Sequence, residues 1–196
     1  APDLFLVPCS ILAHHWALGM AGRLKNRFRK KIVFAGTHPT FFPDIIHEEP
    51  VDIVCIGEAE EAVLELCDKL ERNEDIRRIR NLWVKSDGEV HKNPLRPLLQ
   101  DLDALPLPHR ELYYHYRFIR NFHWKKFMSG RGCYHNCSYC YQPAFRRMYR
   151  QKGAYVRRKS PRRVVDEILA VQKCGPIRIA HFSDDLFITD LAWIEA

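Results

Sequence analysis

Three cysteines fall within eight positions, Cys133-Tyr134-His135-Asn136-Cys137-Ser138-Tyr139-Cys140, at the spacing C-x3-C-x2-C. Thiolates are soft ligands that suit zinc and iron–sulfur clusters, so a glycine-flanked loop carrying three of them predicts a metal site. A structural zinc ion usually takes four protein ligands from two separated C-x2-C-like pairs, and the sequence has no second pair. His135 could complete a zinc set only by folding back into the same tight loop. Three thiolates on a four-iron cluster leave one iron without a protein ligand. Such an open position lets a cluster act on a bound molecule. The other four cysteines, Cys9, Cys55, Cys67 and Cys174, are scattered in apolar or helical contexts, where free cysteine behaves as a small buried hydrophobe. Seven cysteines, an odd number, fit a metal site in a reducing compartment better than a disulfide framework.

The elements that must position this loop read as a parallel α/β unit. Lys126-Phe127-Met128-Ser129 predicts a short strand running into Gly130-Arg131-Gly132 and the cysteines. Ser160-Pro161 predicts a helix start, with Gly175 as its stop and Val164, Ile168 and Val171 on one face. Ile177 to Phe182 then forms a strand that ends in Ser183-Asp184-Asp185. Carboxyl ends of parallel strands are where such folds present ligand-binding groups, so one of the two acids is a binding candidate and the other caps the following helix.

Upstream, apolar runs alternate with helical patterns. Leu4 to Val7, Lys31 to Ala35 and Asp52 to Ile56 read as buried strands. Leu12, Trp16, Met20 and Leu24 would line one face of the first helix, and Val63, Leu66, Cys67 and Leu70 that of the second. Asp87-Gly88 between two short apolar runs signals a hairpin, and the prolines at 94, 97, 106 and 108 mark a linker from Asn93 to about Tyr116. The division expected is 1–75, 76–122 for hairpin and linker, and 123–196. The chain of 196 residues opens without methionine and stops in a young helix, so a fragment of a longer protein is expected.

A hydrophobic content of 46% is ample for a core, and no stretch reaches the length that crosses a bilayer. A cytoplasmic location is the default, with no membrane partner. The net charge of +7 is concentrated in Arg23 to Lys31 and in Arg146 to Arg163. The first cluster suits a helix terminus. The second could face an anionic cofactor, an RNA substrate or water. Nucleic acid is not the expected partner.

C-x3-C-x2-C with an aromatic residue before the last cysteine, entered by Gly130-Arg131-Gly132, resembles the signature of the radical S-adenosylmethionine enzymes. The resemblance implies a [4Fe-4S] cluster on Cys133, Cys137 and Cys140, whose open iron is chelated by S-adenosylmethionine. One electron from the cluster would cleave that molecule to methionine and a 5′-deoxyadenosyl radical, which takes hydrogen from an unactivated carbon. Tyr139 would pack near the adenine, and Asp184 or Asp185 would hold the methionine amino group. Arg157 and Arg158 look like an Arg-rich stretch of relatives, as apt for solvent as for the cofactor.

Ser10-Ile11-Leu12, the run Phe34-Ala35-Gly36-Thr37-His38-Pro39-Thr40 and Gly57-Glu58 resemble the cobalamin (B12)-binding domain that precedes many of these enzymes. By that resemblance Ser10, Leu12, Gly36, Thr37, His38, Gly57 and Glu58 would contact cobalamin. The loop whose histidine ligates cobalt in many cobalamin proteins would lie before residue 1, and His14 and His15 do not replace it. The fold so implied is a partial Rossmann-like, flavodoxin-like parallel-sheet domain followed by the N-terminal part of a (β/α) partial TIM barrel. The activity implied is a cobalamin-dependent methyltransferase on an unactivated carbon of a small-molecule substrate, with flavodoxin or ferredoxin as electron donor. The fragment alone would be inactive for want of later barrel strands. Alternatives are a radical cyclase or rearrangement enzyme, a methylthiotransferase, and a non-enzymatic zinc-stabilised binding module.

Overall fold

A computed structural model describes residues 2–196 and divides the chain into two units, 1–96 and 97–196. In the first, β1 (Leu4–Pro8), β2 (Lys31–Ala35) and β3 (Ile53–Cys55) run parallel, and β4 (Leu82–Ser86) and β5 (Glu89–Lys92) continue the sheet antiparallel in the order β1-β2-β3-β4-β5. The crossovers carry α1 (His14–Phe28) and α2 (Thr37–Phe41), and α3 (Glu60–Glu71) follows β3. β2 and β3 are buried on both faces, as their unbroken apolar runs require. On one face Val33, Ala35, Ile53, Cys55, Leu82 and Val84 pack with Ala62 and Leu66 of α3. Removing each large side chain from water contributes about 2 kcal/mol.

The expected helix faces are corrected in part. α1 buries Ala17 and Ala21, while Leu12 is 98% and Trp16 66% exposed. Small residues four apart let the helix lie close to the sheet, so Leu12 and Trp16 turn outward while Met20 and Leu24 stay half-buried. α3 buries Leu66, with Ala62 beside it, and half-buries Val63 and Leu70, so the expected stripe holds except at Cys67, which is exposed. Among the described residues β1, expected as a buried strand, pairs only with β2; Val7 is buried and Leu6 half-exposed. Asp87 and Gly88 both take positive φ, 54° and 81°, as the turn between β4 and β5 demands. The hairpin therefore belongs to the first sheet rather than to a linker.

In the second unit β6 (Trp124–Phe127) pairs in parallel with β9 (Ile179–Phe182), and the short β7 (Gly130–Arg131) pairs antiparallel with β8 (Arg157–Arg158). α4 (Glu111–Tyr114) and α5 (Arg117–Asn121) precede β6; α6 (Gln142–Met148), α7 (Pro161–Cys174) and α8 (Leu191–Glu195) complete the unit. α7 begins as expected, with the Ser160 hydroxyl accepting from the Arg163 N–H at 3.1 Å. Its core joins Phe127, Val171 and Tyr114. The proline-rich segment is no free linker from residue 97 onward. Asp103 accepts from the Ser160 N–H at 2.9 Å, Arg157 donates to Leu99 O at 2.7 Å, and Leu98 N donates to Lys152 O at 2.8 Å.

Candidate functional site

The cysteine loop leaves β6 through Ser129, which is fully buried, and is threaded past β8 by two glycines. A Cβ on Gly130 would stand 2.7 Å from Arg157 O, and one on Gly132 would stand 2.3 Å from Tyr155 O. Gly132 also has φ +90°, a conformation that disfavours any side chain. Cys133 is buried, Cys140 half-buried and Cys137 exposed. Backbone N–H groups of His135 and Gln142 lie 3.4 and 3.5 Å from the sulfurs of Cys133 and Cys140. Arg146 of α6 reaches back to Cys133 O at 3.0 Å and to the Asn136 side chain.

Among the described residues no three His, Cys, Asp or Glu side chains are gathered to hold a metal ion. The all-thiolate donor set on an open loop fits an iron–sulfur cluster. Tyr139 is 91% exposed, so it is not a packing aromatic of the loop.

The two acids make different contacts. Asp184 Oδ1 accepts from Ser129 N (2.8 Å), Ser129 Oγ (2.7 Å) and Gly130 N (2.6 Å), which ties the end of β9 to the entry of the cysteine loop. These donors occupy Oδ1, and Oδ2 takes a longer bond from Ser129 N at 3.1 Å. Asp185 Oδ2 accepts from Gln142 Nε2 at 2.5 Å. Partial desolvation, and then the neighbouring charge of Asp184, push the Asp185 carboxyl above its ordinary range, although the residue is exposed. Neither acid caps the helix that follows: Asp190 does, accepting from Trp193 N at 3.1 Å. Tyr155 donates to the Gln142 side chain, and burial raises its phenol well above the usual range. Gln142 and Tyr155 were not singled out by sequence reasoning; no spacing rule marks either.

Cations of the basic run are largely engaged within the unit. Arg158 donates to the carbonyls of Leu186 and Phe187 at 3.2 and 2.9 Å. Lys159 and Arg110 both pair with the buried Glu167, at 2.7 and 2.6 Å, and Arg163 bonds Leu105 O. These arginines satisfy loop carbonyls that no sheet or helix serves.

In the first unit, the residues after β1, β2 and β3 meet at the carboxyl edge of the sheet. Gly36, at φ +115°, lies so close to Cys9 that a Cβ would approach Cys9 O to 2.8 Å. His38 N donates to Cys9 O at 3.1 Å. Thr40 Oγ1 donates to Gly36 O at 2.7 Å and accepts from Gly57 N at 3.0 Å, joining the loops after β2 and β3. Thr40 is thus a positioning residue that sequence reasoning passed over. Thr37, Gly57 and Glu58 are half-buried beside it. The His38 ring stacks on His14, centroids 4.3 Å apart, and its buried Nδ1 has no hydrogen-bond partner. Burial, with the nearby His14 and His15, holds its pKa below the usual histidine value. Ser10 is exposed and makes no capping bond, and Leu12 projects outward. An orphaned imidazole nitrogen and close-approach glycines at strand ends suit a large polar cofactor.

No family model matches the chain. It is 30% identical over 190 residues to an uncharacterized methyltransferase of Pyrococcus horikoshii, spanning 95% of this chain and 40% of that protein. It is 26% identical to the anaerobic magnesium-protoporphyrin IX monomethyl ester cyclase of Synechocystis, over 79% of this chain and 30% of the relative. Its fold matches the radical S-adenosylmethionine methyltransferase TsrM from Kitasatospora setae, with tryptophan substrate and an S-adenosylmethionine analogue bound (TM-score 0.67, 17% identity, 94% of this chain and 37% of that one). It also matches the cobalamin-dependent radical enzyme OxsB, with aqua-cobalamin and S-adenosylmethionine bound (TM-score 0.74, 16% identity, 96% and 26%). The chain shares the fold of these radical S-adenosylmethionine enzymes. Its α/β architecture, with a parallel-sheet core, is theirs. The chain spans less than half the length of these relatives. Among the described residues no helix is long and apolar enough to cross a membrane.

Proposed function

We propose that the protein carrying this chain is a cobalamin-dependent radical S-adenosylmethionine methyltransferase acting on an unactivated carbon of a small molecule. The carrying observation is the arrangement at the strand ends of the second unit: an open three-thiolate loop beside Asp185, whose second oxygen takes no hydrogen bond from the described residues. Cys133, Cys137 and Cys140 would hold the [4Fe-4S] cluster, which supplies one electron to the sulfonium of S-adenosylmethionine when bound. Asp185 would receive the ammonium of that molecule, and Asp184 would keep the loop in register. Exposed Tyr139 offers its ring to the adenine. In the first unit the edge formed by Ser10, Gly36, Thr37, His38, Gly57 and Glu58 would seat cobalamin, and Leu12 would offer it apolar surface. Flavodoxin or ferredoxin would deliver the electron.

The methyltransferase relatives support methyl transfer, and a cytidylyl-2-hydroxyethylphosphonate methyltransferase of Streptomyces wedmorensis, 26% identical over 191 residues, adds to them. A ring-forming reaction is the second reading, favoured by likeness to cyclases from three organisms. The test is anaerobic purification of the full-length protein with cobalamin, followed by turnover with methyl-labelled S-adenosylmethionine. Retained cobalamin and label in the product are expected. Cobalamin that is neither retained nor needed overturns the methyltransferase reading; label absent from a cyclised product supports the second.

A further inference from the structure

We propose that Gln142 is a positioning residue for S-adenosylmethionine, holding the Asp185 carboxylate beside the cluster loop through one side-chain bond. The inference rests on the reading that Asp185 receives the ammonium group. Gln142 is the first residue of α6, two positions after Cys140, and only 4% exposed. A buried amide must satisfy both its oxygen and its nitrogen within the protein. Its Nε2 donates to Asp185 Oδ2 at 2.5 Å and to Tyr141 OH at 3.3 Å. Its Oε1 accepts from Tyr155 OH, which fixes the amide so that nitrogen, not oxygen, faces the acid. Tyr155 OH lies 3.3 Å from Gln142 O as well, anchoring the phenol to the same residue.

A simple capping or packing role does not account for this arrangement. An apolar residue of the same size would fill the site, whereas the amide orients a carboxylate that follows another strand. One carboxylate oxygen is held and the other is left open. That combination aims a single acceptor at a cationic group, and it places the acceptor by the helix that begins two residues after the last cluster cysteine.

The experiment uses the full-length protein, reconstituted anaerobically, and measures the equilibrium dissociation constant for S-adenosylmethionine. Iron and sulfide content, and the electron paramagnetic resonance spectrum of the reduced cluster without ligand, are recorded in parallel. Gln142→Met is expected to keep the cluster spectrum and to weaken S-adenosylmethionine binding about tenfold. In an Asp185→Ala background the same change should add less than about twofold, because the amide acts through the acid. Full additivity of the two changes, or wild-type binding by Gln142→Met while Asp185→Ala binds weakly, overturns the proposal and leaves the Asp185 reading intact. Wild-type binding by Asp185→Ala removes the reading itself. Should Gln142→Met fail to take up the cluster, Tyr155→Phe decides: it keeps the ring, frees the amide to rotate, and is expected to weaken binding about threefold. Unchanged binding there counts against the proposal.

Discussion

Replacing Gly132 by alanine tests how the cysteine loop is held. The residue sits at φ +90°, and its Cβ would meet Tyr155 O at 2.3 Å, Tyr155 C at 2.9 Å and Tyr155 Cδ1 at 3.2 Å. Ordinary contact begins at 3.4 Å, so the main chain at Tyr155 must retreat by about 1.1 Å. Forcing alanine into positive φ costs about 1–2 kcal/mol. Overpacking against backbone, which cannot rotate away as a side-chain tip can, adds about 1–3 kcal/mol. A loss of roughly 3 kcal/mol follows. In urea that corresponds to a fall of about 1.5 M in the midpoint of the second unit's transition. Displacing Tyr155 also disturbs its bond to Gln142, so iron uptake on reconstitution should fall with stability. Gly19→Ala is the control, since a Cβ there meets nothing within 4 Å and alanine suits a helix interior. A Gly132→Ala protein that unfolds within about 0.5 M of wild type and loads iron normally refutes the reasoning.

Glu167→Gln should cost about 3 kcal/mol, because Lys159 and Arg110 lose their buried partner. Burial alone would raise the Glu167 carboxyl, but hydrogen bonds and charge from Lys159 and Arg110 outweigh it and hold it below the ordinary range. Its contribution is therefore present above the ordinary carboxylate range and lost as pH falls through the depressed native value; urea titrations across that range should show this slope in wild type and not in Glu167→Gln. Thr40→Val should cost about 1–2 kcal/mol by leaving Gly57 N unpaired, and cobalamin retention by the full-length protein should fall with it. In the apo protein, thiol labelling at neutral pH should modify exposed Cys67 and Cys137 and spare Cys55, whose thiol burial pushes up to about 12.

Parallel strands, the hairpin and the α7 start were legible because each follows from local chemistry: unbroken apolar runs, Asp-Gly, Ser-Pro. Helix faces were less so. Sequence periodicity favours the largest apolar residues, yet α1 meets the sheet through Ala17 and Ala21, where close approach outweighs area. The cysteine spacing and the glycines around it could be read directly. The partition between Asp184 and Asp185 could not, since it depends on which carboxylate meets Ser129 and which meets Gln142, contacts spanning 55 and 43 residues of chain. For the same reason the basic run looked free: its arginines bond carbonyls about 28 to 58 residues away, which no local pattern announces.

The central claim, a three-thiolate cluster that cleaves S-adenosylmethionine, is tested most directly by measuring 5′-deoxyadenosine release from the anaerobically reconstituted full-length protein, reduced with dithionite, alongside its Cys137→Ala variant. Wild type should contain iron and inorganic sulfide in equal amounts and release 5′-deoxyadenosine, and the variant should release none. Zinc in place of iron and sulfide, or undiminished release by Cys137→Ala, would contradict the account.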